Sequence, residues 1–409
     1  VTAATVWGAV LVTGDPSQAG DRSRYFALGE EIVTAVRDNF VDATRAQAWA
    51  RKHRGYGAPL RDWAAFVART HEILAELATS HTAFYPRGGS EQPMLAAIFA
   101  DGLKVHPQHV SLGIDLARTA DGLFVRRVFP GGAGEAAGLL RGDRILTVDG
   151  QTPDPWQPLA SRAGQPVRLG VLRLPRQPAI ELRPVPALVN PKEEWLAMQR
   201  RGSKILEHDG ERIGYHPMFS CAGAEHEAAL RESLGSTLAG AAALILDLRD
   251  GWGGCRPELV DLFSPVAPTI TSVGRGGKRS TSSPAWHRPV VLLINGGSRS
   301  GKELVAFVLK KHRLALLVGE RTAGAVMTGK VFPLSDGSLL YLAVAEVLVD
   351  GQRLEGVGVA PDIEIRDALP YAQGRDPQLD RALAAAVAEI RSRQSREKTQ
   401  APGSEPPAR

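Results

Sequence analysis

The chain has 409 residues, 44% of them hydrophobic and 23% charged, the make-up of a soluble globular protein with room for two or three domains. The net charge of +5 owes much to Arg391, Arg393, Arg396, Lys398 and Arg409 near the end, so it excludes a nucleic-acid groove and licenses only a mild preference for acidic surfaces or anionic lipid. Two cysteines, Cys221 and Cys255, exclude a disulfide scaffold and leave one bridge open. Residues 1–14 carry no charge and are mostly small or apolar. That is shorter than the roughly 20 residues that span a bilayer. Residues 1–20 are read as the remnant of a signal or anchor segment, or as a loose terminus.

From residue 21 to 104 the periodicity is helical. Phe26, Leu28, Ile32, Val33, Val36 and Phe40 predict one helix over 24–40; Trp63, Phe66, Val67, Leu74 and Leu77 predict another over 63–77. The second ends in LATSHTAFY, residues 77–85, where Ser80 and His81 leave the helix. Alone, such a pair reads as a helix end with a surface histidine. Residues 105–188 change to short strands and turns, with LGI at 112–114, a small-residue helix at 135–139 and RGDRILTVDG at 141–150. This stretch resembles a PDZ domain. The resemblance implies a groove that adds an extended peptide C-terminus to a sheet edge, the backbone N–H groups of Leu112, Gly113 and Ile114 holding the carboxylate. A PDZ used only as a lid or spacer is the alternative.

Residues 191–207 read as a helical linker with Trp195, Leu196, Met198 and Ile205 on one stripe. Beyond it, apolar runs at 213–219, 242–248, 290–294 and 315–319 alternate with helical patterns at 225–238, 257–262 and 303–312, which predicts parallel strands with crossover helices. The segments 330–333, 338–347 and 349–354 are expected to add an antiparallel edge. Residues 269–284 read as a surface loop, 377–390 as an Ala-rich helix, and 392–409 as a disordered tail.

Within the core, VVLLINGGSRSGKE at 290–303 passes from strand through a turn to a helix. Such a turn can present Ser300 as a nucleophile beside free backbone N–H groups. On chemistry alone Ser300 reads first as an ordinary N-cap.

The order of helical cap, PDZ and α/β core resembles the serine peptidases that include the C-terminal processing (tail-specific) proteases and the tricorn-type core proteases. Four segments carry it: LATSHTAFY; LILDLRDGWGG at 244–254; INGGSRSGKE at 294–303 with GERTAG behind it; and LEGVGVAPDIEI at 354–365. The resemblance implies a ClpP/crotonase-like α/β core over 189–391 and makes Ser300 the nucleophile. Processing proteases pair that serine with a lysine, whose place here is taken by Ala325. Lys302 and Lys330 are out of register and read as solvated surface lysines. The tricorn-type plan uses histidine and glutamate instead, and maps to His81 and Glu355, with Ser80 as auxiliary. Glu355 would orient the imidazole directly or through Ser80. The same mapping gives the N–H groups of Gly253 and Gly301 as the oxyanion hole. Cys221 and Cys255 would fall beside this site, either bridged or, as the reading leans, unpaired.

The implied function is a serine endopeptidase of Ser-His-Glu type that forms an acyl-enzyme and needs no metal or other cofactor. Its PDZ would recruit or gate a polypeptide, through the polypeptide's C-terminus. Export to the periplasm or another extracytoplasmic space is expected, with membrane association through an N-terminal segment. Nucleic acid is not a partner, and oligomeric state is open. Two alternatives stand beside this: an inactive relative acting as a PDZ adaptor or ligand carrier, and a Ser-Lys protease whose lysine is replaced by Ala325.

Overall fold

Five apolar residues in a row, Val290–Ile294, cannot hide their side chains against one layer, and the strand they form is buried along its whole length. It lies inside a six-stranded sheet in the order Ile363–Glu364, Leu316–Gly319, Val290–Ile294, Ala243–Asp247, Glu211–Pro217, Lys204–His208. All neighbours are parallel except the last pair. These positions come from a computed structural model that describes residues 22–153, 159, 161–268, 270–283 and 285–400. The segment 1–20 and the tail end 401–409 lie outside the described residues.

The described chain divides into two compact units: one takes residues up to Trp195 with Gly324–Val357 and Leu369–Gly374, the other Leu196–Ala323, Gly358–Ala368 and the chain from Arg375 on. In the second unit, Ile213, Ala243, Ile245, Val291, Leu293 and Val318 point to one face of the sheet. The helix Pro377–Gln400 covers them with Ala382, Ala386, Val387 and Ile390. Small residues on that helix face let it lie close to the strands. This helix continues past the expected start of a disordered tail at 392. No proline interrupts it before Pro402, and Arg393 pairs with Glu397 one turn on.

The linker helix is also corrected. It ends at Gly202, and Lys204–His208 is a strand. The cause is local: Asp209 and Gly210 both adopt positive φ, 49° and 81°, and close a two-residue hairpin that pairs His208 with Glu211. Within 269–284, expected as a loop, Ile270–Val273, exposed along its length, forms a hairpin with Arg279–Ser282.

In the first unit the helices Arg22–Asn39, Ala43–His53 and Trp63–Ala75 pack Leu28, Ile32, Val36, Trp49, Phe66 and Ile73 into one core. Here the expected antiparallel edge is relocated. Thr328–Pro333 and Leu339–Ala345 do not extend the parallel sheet; with Ala83–Tyr85 they make a separate three-stranded sheet. Its Phe84, Leu340 and Leu342 pack into the same core as the apolar faces of the cap helices. The PDZ-like region is a five-stranded antiparallel sheet from Ile114–Thr119 to Ile180–Leu182, closed over Val125, Ile145, Val148, Leu169 and Val171. Its helix is shorter and earlier than expected, Ala133–Ala136.

The second unit also buries a neutral histidine. His216 has no exposed surface; its Nδ1 lies 2.7 Å from Ser203 Oγ and its Nε2 2.9 Å from the Gln199 amide nitrogen. Gln199 donates to Nε2, so the ring proton sits on Nδ1. Burial first, and the nearby His226 second, push its pKa down to about 3. The unfolded chain takes up this proton near pH 6.5 and the folded one only near 3, so stability is full above about 6.5 and is lost as pH falls toward 3. Urea unfolding at pH 5.5 should therefore show roughly 1 kcal/mol less stability from this residue than at pH 7. The difference should shrink in His216→Gln.

Candidate active site

The strand Val290–Ile294 delivers its chain into Asn295, Gly296 and Gly297, and the turn is tied from within. Asn295 Oδ1 accepts from the N–H groups of Gly297 (3.0 Å) and Asp250 (3.1 Å), and its amide donates to Asp250 Oδ1. Ser298, fully buried, donates to the Leu248 carbonyl at 2.9 Å. Fixed on both sides, the chain reaches Ser300 at φ 57°, ψ −131°, a conformation that L residues avoid. Ser300 occupies the N-cap position of the helix Gly301–Lys311, yet its side chain makes no capping bond. A serine placed there only to cap would spend its oxygen on the helix.

Gly253 lies against this serine. A Cβ at Gly253 would stand 2.6 Å from Ser300 Cβ and 3.2 Å from its Oγ, and one at Gly301 would stand 2.3 Å from the Cys255 carbonyl oxygen. Only glycine permits either approach. Among the described residues, neither the Gly253 nor the Gly301 N–H has a protein acceptor. The turn that carries Gly253 is cross-linked: Cys221 and Cys255 form a disulfide, and the Cys221 N–H donates to the Gly253 carbonyl at 3.1 Å. This corrects the expectation of unpaired thiols. The parallel register places the ends of Glu211–Pro217 and Ala243–Asp247 side by side, and their continuations bring the two Cα atoms to 4.4 Å.

Lys302 is the second correction. It is not a solvated surface lysine but fully buried, donating to the carbonyls of Asp250 at 2.6 Å and Phe219 at 3.1 Å. A signal for this was available: Lys302, Val305, Ala306 and Leu309 stand at the i, i+3, i+4, i+7 spacing of one helix face, and all are buried. Lys330 is exposed, its ammonium 5.2 Å above the Phe332 ring.

The other predicted residues stand in the first unit. Ser80 Oγ donates to Glu355 Oε2 at 2.8 Å and lies 2.8 Å from His81 Nδ1; the Ser80 N–H donates to Oε1 at 2.9 Å. Oε2 also receives the Val326 N–H at 2.7 Å. The hydroxyl has one proton, and the carboxylate takes it. It must therefore accept from Nδ1–H, which leaves Nε2 unprotonated with its lone pair directed away from the relay. His81 is held at φ 57°, with its ring 5.3 Å from that of Tyr341. Glu355 thus reaches the imidazole through Ser80. Sequence reasoning missed the Val326 donor, a backbone group that no side-chain pattern reveals.

In the PDZ-like region Leu112 is buried, and Gly113 takes φ 67° with its N–H bonded to Ser111 Oγ at 2.8 Å. Of the three expected carboxylate donors, Gly113 is therefore engaged within the protein. Ile114 starts the outermost strand of its sheet, Ile114–Thr119, which pairs with Gly122–Val128. Among the described residues no group of three or more His, Cys, Asp or Glu side chains is placed as metal ligands would be, and no helix is long and apolar enough to cross a membrane.

Residues 213–365 match the family model described as peptidase family S41, and residues 103–163 match that of the PDZ domain. A carboxyl-terminal-processing peptidase 2 of Arabidopsis thaliana, chloroplastic by name, is 30% identical over 284 residues, covering 64% of this chain and 54% of its own. Tricorn protease homolog 1 of Streptomyces coelicolor is 30% identical over 350 residues, 78% of this chain and 30% of its own. The crystal structure of the tricorn protease superposes with a TM-score of 0.55 at 20% identity, over 90% of this chain and 37% of that one, a likeness of fold. The chain spans about half the length of the plant relative and under a third of the Streptomyces one.

Proposed function

We propose, from the match of residues 213–365 to the peptidase family S41 model and of residues 103–163 to the PDZ domain model, that the chain is a serine peptidase of Ser-His-Glu type. Ser300 Oγ attacks the scissile carbonyl and His81 Nε2 takes its proton, then returns it to the leaving amine. Ser80 and Glu355 hold the imidazole with its proton on Nδ1 and stabilise the imidazolium once it forms. The N–H groups of Gly253 and Gly301 receive the oxyanion, where each fixed donor contributes on the order of 3 kcal/mol. Water then releases the acyl group by the same steps in reverse. The observation that carries this reading is the Glu355–Ser80–His81 relay, because it leaves the imidazole in the one tautomer that a general base requires. Ala325 removes the lysine of the other plan, and the relay supplies what that lysine would have done.

The substrate is a polypeptide recruited by its C-terminus, added as a strand along Ile114–Thr119. The disulfide Cys221–Cys255 favours an oxidising, extracytoplasmic compartment. The test is a pair of unfolded model polypeptides, one with a free C-terminal carboxylate and one amidated. The parent chain should cut both, the amidated one at about tenfold higher KM, since a charge-assisted anchor is lost. Cleavage that persists in Ser300→Ala, or a parent that cuts neither, overturns the reading.

A further inference from the structure

Ser300 and its proposed donor Gly253 come from different loops, so the distance between them must be fixed by something other than the chain. The loop of Gly253 is not a relaxed one. Asp250 and Gly251 are both left-handed, φ 57° and 67°, and a Cβ at Gly251 would stand 2.1 Å from the Phe219 carbonyl oxygen. A non-glycine residue such as Asp250 holds that conformation only where its surroundings compel it. The Phe219 carbonyl is the hub: it accepts the Trp252 N–H at 2.8 Å and the Lys302 ammonium at 3.1 Å. The same ammonium takes the Asp250 carbonyl at 2.6 Å. Lys302 stands two residues after Ser300, on the first turn of the same helix. Its stem therefore runs beneath the nucleophile's turn and ends on the donor's turn.

A buried ammonium is costly unless its protons are taken up, and two backbone carbonyls, those of Asp250 and Phe219, are among the acceptors of this one. Any hydrophobic side chain would fill the space without that cost. We infer that, given the peptidase reading above, Lys302 is a positioning residue: it locks the Asp250–Gly253 turn to the Ser300 helix so that the Gly253 N–H meets the oxyanion. The ammonium does not touch substrate and takes no proton. The disulfide ties the far end of the same turn, at Cys255, and Asn295 holds Asp250 through its N–H and carboxylate; the lysine adds the bond that joins the Asp250 carbonyl directly to the Ser300 helix.

The test is Lys302→Met in the full chain, which keeps the stem and removes the donors. Lys302→Gln, with one neutral donor left, serves if the methionine form does not fold. Two quantities are read together: steady-state kinetics on an unfolded polypeptide, and amide hydrogen exchange by mass spectrometry over residues 248–256. The expected result is a kcat at least about tenfold lower with KM within twofold, the pattern of a group that matters only in the transition state. Exchange of the 248–256 peptide should accelerate at least tenfold, with the rest of the core unchanged. Unchanged exchange overturns the role, whatever the kinetics. Faster exchange with parental kcat overturns it too, since the turn would then be loose without consequence. A parent that never turns over, combined with loosened exchange in the variant, leaves the clamp standing and removes the peptidase reading instead.

Discussion

Ser300→Ala and His81→Ala should each lower kcat/KM by about 10⁴-fold or more, and the double variant should cost little beyond either single one. A hydroxyl without its base is no nucleophile at neutral pH, and a base without the hydroxyl has no proton to take. Residues that act as one unit lose their joint contribution at the first removal. Both variants should fold as the parent does, because Ser300 makes no capping bond and His81 is only half-buried. Steady-state cleavage and circular dichroism on the same preparations check this. Costs that add on a logarithmic scale would mean that the two residues serve separate ends.

The second large effect belongs to the relay. Glu355→Gln should lower kcat by about 10³- to 10⁴-fold with little change in KM. An amide in that place can turn its NH2 toward Ser80 Oγ. The hydroxyl is then free to donate to Nδ1, and the proton moves to Nε2, where the base is needed. Ser80→Ala removes the hydroxyl that bridges carboxylate and ring and should cost about 10²-fold, while Ser80→Thr should retain most activity. Because Glu355 also receives the Val326 N–H, its replacement should lower the melting temperature slightly as well. Kinetics of the three variants at pH 7.5 decide the matter. A Glu355→Gln protein that works at the parental rate would leave the relay a structural bond.

Much of this was legible in the chain because its signals are local. Val290–Ile294 was predicted to the residue, since a run of β-branched and leucine side chains bounded by Asn-Gly-Gly has no other low-cost arrangement. The helices of the cap followed from their spacing in the same way. What the period of a segment does not encode is the sheet it joins. Thr328–Pro333 and Leu339–Ala345 read as strands and are strands, but they pair with each other, and Leu339–Ala345 takes Ala83–Tyr85, some 250 residues earlier, as its other neighbour, in a sheet that packs on the cap helices. Ser80 and Glu355 lie 275 positions apart, and nothing but resemblance could pair them in advance. Lys302 was misread because its charge was given more weight than its place on an apolar helix face. The Asp209-Gly210 turn was missed for the opposite reason: a strong local signal was overridden by the helical stripe before it.

The central claim is that Ser300 is an activated nucleophile in a chain that has alanine at position 325. Intact-mass analysis after treatment with a fluorophosphonate tests it most directly, on the parent beside Ser300→Ala, His81→Ala and Ala325→Lys. One adduct per parent chain is expected, mapped to Ser300, absent from the first two variants and not increased in the third. A folded parent that takes no adduct, with labelling restored only by Ala325→Lys, would contradict it.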